Sequence, residues 1–244
     1  MSAGDWKSFH VDDVAEDGRF LMERDAARLE ALEANPSLGP SLFLYRWAAP
    51  TISLGYAQRE ERVLDLEAVR AHGMPVVRRP TGGRAILHVD EWTYGVAVPL
   101  GHARLGGTLQ DSLAALSAIV AIALSEVGVK VETVFGREAR PGGEGAEEAC
   151  FRTALGHELS VGGRKLAGAA QRRLSQALLT QGTILAGPGQ ERLADFLAGD
   201  PASKRQGREK LLEGTVTVAE IAPRATFLAF AQALGRAWEE GSGR

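Results

Sequence analysis

The chain has 244 residues, 45% of them hydrophobic and 24% charged, which suits one large domain or a core domain with a small appendage. A formal net charge of -3 argues against nonspecific attraction to nucleic acid, so any basic patch must be local. The single cysteine, Cys150, excludes an internal disulfide and a thiolate zinc cluster but leaves room for a nucleophile.

The first residues, "MSAGDWKSFHVDD", lack the basic-then-apolar form of a secretory signal, and no run of about eighteen apolar residues stands out. A cytoplasmic protein without membrane contact is the expectation. Residues 19–34 place Phe20, Leu21, Leu29 and Leu32 at helical spacing before the turn signal "NPSLGP". "SLFLYRW" and "TISLGY" read as short strands, and "LDLEAVRAHG" as a helix closed by glycine. A strand, a glycine turn and two more strands follow in "VVRRPTGGRAILHVDEWTYGVAV". The strongest helix signal runs from Thr108 to Val127 with Gly128 as its stop, apolar on so much of its circumference that it should be largely buried.

"VKVETVF" alternates as a strand, and the glycine- and glutamate-rich "GREARPGGEGAEEA" reads as a mobile loop. "HELSVGGRKLAGAAQRR" suggests a hairpin and "ALLTQGTIL" a further strand, with short helices from about residue 189. Strands and helices mix without strict βαβ alternation, so the predicted class is α+β. No repeat or heptad pattern is evident.

The stretch "RRPTGGRAILH" crowds Arg78, Arg79 and Arg84 around Gly82 and Gly83. Glycines permit close backbone approach to a ligand, and guanidinium groups supply donors for an anion. A plain hairpin with solvated arginines explains the same residues. Neither a P-loop nor a dinucleotide-binding glycine pattern is present. Lys165, in "GGRKLAGAAQ", has small residues on its C-terminal side, which would let a substrate pack beside its ammonium. A lysine in a strand is more often a solvated edge residue, and a lone cysteine more often a small core hydrophobe. Cys150, however, directly follows the glycine-rich loop and lies fifteen positions before the lysine.

Together, "RRPTGGRAILH" with "TYGVAV", "GGRKLAGAAQRR" with "LTQGTIL", and "SLGYAQ" resemble the lipoate-protein ligase and octanoyltransferase superfamily, in the family's order, over roughly residues 40–186. The resemblance implies a single domain over 1–244: a mixed-sheet catalytic domain of the biotin/lipoate protein ligase type, packed with helices and ending in a short helical segment. "RRPTGGRA", with arginine after the glycine pair, looks more like the cysteine-dependent octanoyltransferase branch than like the ATP-dependent ligases.

That branch carries the acyl group from acyl carrier protein, through a cysteine thioester, to a lysine of a lipoyl domain (glycine cleavage H protein or 2-oxoacid dehydrogenase E2). By resemblance Cys150 is the nucleophile and Lys165 the oxyanion partner. Arg78, Arg79, Thr81, Gly82, Gly83, His88, Gly168 and Ala169 would bind substrate, with no metal or cofactor, in a monomer. A basic rim of Arg78, Arg79, Arg84, Arg164, Arg172 and Arg173 could face the acidic carrier protein. The family places an aspartate directly after the histidine, where this chain has Val89. Alternative readings are an ATP- and Mg-dependent lipoate ligase, an octanoyl amidotransferase between lipoyl domains, and a non-catalytic lipoyl-domain binding protein.

Overall fold

A seven-stranded sheet forms the body of the protein, and a small three-stranded sheet leans on one of its faces. The computed structural model describes residues 8–12, 14–135 and 157–242. In chain order the large sheet receives β1 (Phe9–Val11), β2 (Ser41–Tyr45), β6 (Glu91–Pro99), β7 (Glu132–Phe135), β8 (His157–Val161), β9 (Arg164–Arg173) and β10 (Ala177–Leu185). Their spatial order is β1-β2-β6-β10-β9-β8-β7, with only β1 and β2 parallel. The small sheet orders β4 (Val76–Arg78), β3 (Thr51–Leu54) and β5 (Ile86–His88). Its core joins Ile52, Leu54, Leu64, Leu87, Phe196 and Leu211. This is the expected α+β class, with a mixed sheet.

Strand β6 shows why the body folds as it does. Trp92, Tyr94, Val96 and Val98 alternate onto one face, where they join the main core with α4 (Leu109–Glu126) and α8 (Phe227–Ser242). Helix α4 is long and apolar enough to cross a membrane, with a mean hydropathy of 1.4. Its Leu116, Ile119, Val120, Ala123 and Leu124 instead enter the core beside Phe230, Leu234 and Trp238 of α8. It is one-sided rather than largely buried, since Ile122 and Leu109 stay exposed. Thr108 caps it in a capping box with Asp111, and Gly128 ends it at φ +90°. On the opposite face, Leu29 and Leu32 of α1 (Gly18–Ala34) pack on Ala97, Ala177 and Leu179. Phe20, expected on the buried stripe of α1, is half-exposed; Leu21 takes that place.

The shorter helices α2 (Glu60–Val63) and α3 (Leu66–Ala71) join β3 to β4, and α5 (Leu193–Phe196), α6 (Pro201–Gly214) and α7 (Val218–Ile221) follow β10. After α6 the chain returns to the sheet, where Val216 N donates to Lys165 O at 2.9 Å. The glycine turn is not a hairpin. β4 and β5 flank β3 on opposite sides, β4 parallel to it and β5 antiparallel, so the turn crosses over the end of β3.

The main core is tight where β10 crosses Tyr94. A Cβ built on Gly182 would stand 2.1 Å from the Tyr94 ring. Gly182→Ala should therefore cost about 1–3 kcal/mol through overpacking. Urea melts should show most of that loss disappear when the same substitution is made in a Tyr94→Ala background.

Candidate active site

A cavity of about 130 Å³ opens between the two sheets. Gly168, Ala170, Gln181 and Thr183 of β9 and β10 form one wall, and Gly83, Arg84 and Ile86 of the small sheet face them. The register explains the first wall: Thr183 pairs with Gly168 and Gln181 with Ala170, so these four share one face of neighbouring strands. Small residues on β9 leave the space that β10 alone would not.

Lys165 sits where β8 meets β9, beside an irregularity in their register at Leu159 and Ser160. Its Nζ donates to Glu158 Oε1 at 2.7 Å, and both side chains are partly exposed to the cavity side. A Cβ on Gly168 would stand 2.9 Å from both Cε and Nζ of Lys165. The lysine stem thus lies across a position that only glycine leaves open. Its backbone is fixed from the other side by Val216. The pair is too exposed to count for much as a stabilising ion pair. What it does is hold an ammonium at the wall of a largely apolar cavity.

The glycine turn divides its labour. Gly83 lines the cavity at φ +87°, a conformation L-residues avoid, and a Cβ there would meet Arg79 Nη2 at 2.7 Å. Gly82 has ordinary φ, no atom lies within 4 Å of a built Cβ, and it is not among the residues lining the cavity. Thr81 is fully buried and donates to Gln181 Oε1 at 2.8 Å, tying the turn to β10.

Arg78 donates from Nη1 to the carbonyls of Gly55, Tyr56 and Gln58. Arg79 is buried and donates to Ser53 O and Oγ, Gly82 O and Arg84 O. These two guanidiniums brace the loop that holds Gly83, and Arg79 also lines the cavity. The broader arginine rim is likewise engaged. Arg172 stacks over the Tyr56 ring, Arg173 reaches Gly107 O, and Arg164 pairs with Glu220.

His88 is buried, with Nδ1 2.5 Å from Glu91 Oε1 and Nε2 2.7 Å from Ser53 Oγ, and its ring stacks on Trp47 at 3.7 Å. Both ring nitrogens are therefore occupied, and the ring is part of the cavity wall. The carboxylate beside it comes from Glu91, three residues on, which also accepts from Thr93 Oγ1. Asp90 is exposed in the turn between β5 and β6, its carbonyl accepting from Ala186 and Gly187 N. Glu91, Gln181 and Glu158 escape sequence reasoning because each owes its place to the partner strand. Gln181 does leave a trace, as a long polar side chain in the middle of a mostly apolar strand.

Gly168 and Ala169 both line the cavity. Cys150 lies outside the described residues.

The fold is a mixed-sheet α+β domain whose two sheets enclose a mostly apolar cavity with a lysine ammonium in its wall. The sequence matches the lipoyl protein ligase A/B catalytic domain over residues 17–239, and the chain belongs to that family. It is 44% identical to octanoyltransferase LipM of Moorella thermoacetica over 150 residues, 60% of this chain and about half (53%) of that relative. It is 37% identical to LipM of an Exiguobacterium species, covering 85% of this chain and 75% of that one. Against LipM of Kyrpidia tusciae it is 34% identical over 97% of the chain and 89% of the relative. Among solved structures, the bipartite lipoate protein ligase of Thermoplasma acidophilum superposes with a TM-score of 0.71 at 20% identity, covering 96% of this chain and 82% of that one. A lipoate-protein ligase A bound with ATP gives 0.68 at 19% identity, over 96% and 85%. These two confirm the fold.

The two turn glycines should respond differently to substitution. Gly83→Ala is expected to lower stability by at least 1 kcal/mol, from left-handed backbone strain and the clash with Arg79. Gly82→Ala should stay within about 0.5 kcal/mol of the parent. Equal melting temperatures for the two variants would contradict the geometry described for the turn.

Proposed function

We propose that this protein is an acyltransferase of lipoate assembly that moves an octanoyl group from acyl carrier protein to a lysine of a lipoyl domain through a thioester on Cys150. The observation that carries the reading is the Lys165 ammonium, laid across Gly168 at the wall of an apolar cavity, in a chain whose curated relatives are octanoyltransferases. Such a cavity suits a medium-length acyl chain with its carbonyl next to the ammonium.

In the first step the Cys150 thiolate attacks the thioester carbonyl of the donor. Lys165 stabilises the oxyanion, and the carrier thiolate departs. In the second the acceptor amine attacks the enzyme thioester, loses a proton and releases Cys150, leaving an amide. Thioester exchange is close to energy-neutral, so no ATP or metal is required. Cys150 stands eight positions before Glu158, the residue that lines the cavity and holds Lys165. The protein works as a cytoplasmic monomer whose partners are the carrier protein and the lipoyl domain.

Intact-mass measurement after incubation with octanoyl-carrier protein tests this directly. The expected result is an octanoyl adduct that disappears when a lipoyl domain is added and never forms in Cys150→Ala. Dependence on ATP, or full activity of Cys150→Ala, would instead establish a ligase that works through an adenylate.

Lys165→Ala should slow adduct formation by ~10²–10³. Gly168→Ala should fold normally, because the obstructing atoms are the mobile end of a lysine, yet slow acylation by displacing the ammonium. Single-turnover rates and melting curves on the same samples check both expectations.

A further inference from the structure

One guanidinium in the cavity wall lacks the carbonyl partners that its neighbours have. Arg84 follows the glycine pair, and its backbone is fixed because its carbonyl accepts from Arg79 Nη2 at 2.7 Å. Its half-buried side chain lines the cavity. Nη1 of that side chain is closed off from solvent and has no acceptor among the described residues. Arg78, Arg79, Arg172 and Arg173 each donate to at least one backbone carbonyl. A buried guanidinium N–H left without an acceptor is costly, and the cost is recovered only when something supplies an oxygen. Glu158, a carboxylate in the cavity wall, already accepts from Lys165. An acyl chain has its one acceptor at the head, on the carbonyl.

We propose that Arg84 is a substrate-recognition residue whose Nη1 donates to the head oxygen of the acyl ligand, the carbonyl of a bound octanoyl group or the carboxylate of free octanoate. This rests on the reading of the cavity as the acyl site. Arg84 and Lys165 then grip the head from opposite walls, one on the glycine turn and the other on β9. Chain length is sensed separately, by the apolar lining. The arrangement makes the site selective for an oxygen-bearing head over an equally long chain without a carbonyl.

Calorimetric titration with sodium octanoate and with 1-octanol, on the parent protein and on Arg84→Met and Arg84→Lys, tests the assignment. The parent should bind octanoate more tightly than octanol. Arg84→Met should lose about tenfold or more for octanoate while holding octanol within twofold, because a hydrogen bond to a charged group has been removed from an intact pocket. Its melting temperature should hold or rise, since an unsatisfied buried donor has gone, and Arg84→Lys should recover part of the octanoate affinity. A loss below threefold for octanoate overturns the role of Arg84 and leaves the cavity reading standing. Loss of both ligands together with a lower melting temperature makes Arg84 structural and overturns the proposal too. If the parent binds neither ligand, the acyl-site reading falls, and the proposal with it.

Discussion

Everything around the cavity depends on a pair of charges buried beneath it. Asp25 and Arg28, on successive turns of α1, are both fully buried, with Arg28 Nη1 3.2 Å from Asp25 Oδ1. Burial pulls the guanidinium down to about 10, against the attraction of Asp25. Such a pair is tolerable only when most of its remaining hydrogen-bonding capacity is used. Arg28 reaches Gly95 O, Ser41 O and Ser41 Oγ and stacks over the Phe43 ring at 3.8 Å, while its Nε has no acceptor among the described residues. Asp25 Oδ2 accepts from Tyr45 and Gln181. The pair therefore fixes the angle at which α1 lies on β2, β6 and β10. Burial and the neighbouring carboxylate together push the Tyr45 hydroxyl well above its ordinary pKa, so it remains a donor.

From that pair a line of hydrogen bonds runs to the functional turn. Gln181 donates to Asp25 and accepts from Thr81, which stands just before Gly82 and Gly83. Tyr45 and Gln181 are at once cavity wall and members of this line. A buried polar network is costly when half-made and rigid when complete. Here it transfers the orientation of a helix in the body to a crossover loop of the small sheet. Steric room completes the arrangement. Gly95 lets Asp25 approach the sheet, since a Cβ there would stand 2.5 Å from its carboxylate, and Gly55 lets the turn pass within 2.0 Å of where its own Cβ would be.

Much of this is legible in the sequence. The mostly apolar strands β6 and β10, the capped apolar run of α4 and the turn glycines after β8 are local signals, and local physics decides them. What is not legible is adjacency. Nothing in "VVRRPTGGRAILH" says that its two strands lie on either side of β3 and not beside each other. The small residues after Lys165 do read as room for a ligand, and one of them, Gly168, is where the ammonium rests. The arginines are ambiguous in the sequence because a guanidinium that binds an anion and one that clamps a loop have the same composition. Only the carbonyls of Gly55, Ser53 and Gly82, brought in by folding, separate the two. His88 is similar: its partner Glu91 lies three residues away, but the face it presents depends on a turn at Asp90.

The distribution of positive charge then has a physical logic. A cavity for an apolar chain cannot tolerate many unpaired cations, because each loses its hydration when the ligand enters. Arg78 and Arg79 avoid that loss by donating to backbone carbonyls, which are neutral and do not compete with a substrate for the cavity. Lys165 avoids it differently, through a single carboxylate, Glu158, at the partly solvated edge where exchange of partners is cheap. In the proposed reaction a carbonyl that gains negative charge would compete with Glu158 for the same ammonium, and would compete best when that charge is greatest. Lysine suits this position better than arginine. Its compact charge on a flexible stem can move from one oxygen to the other, whereas a planar fork would remain bound to the carboxylate. The glycine that makes room for the stem, and the strand contact from Val216 that holds its backbone, limit that motion to the ammonium itself.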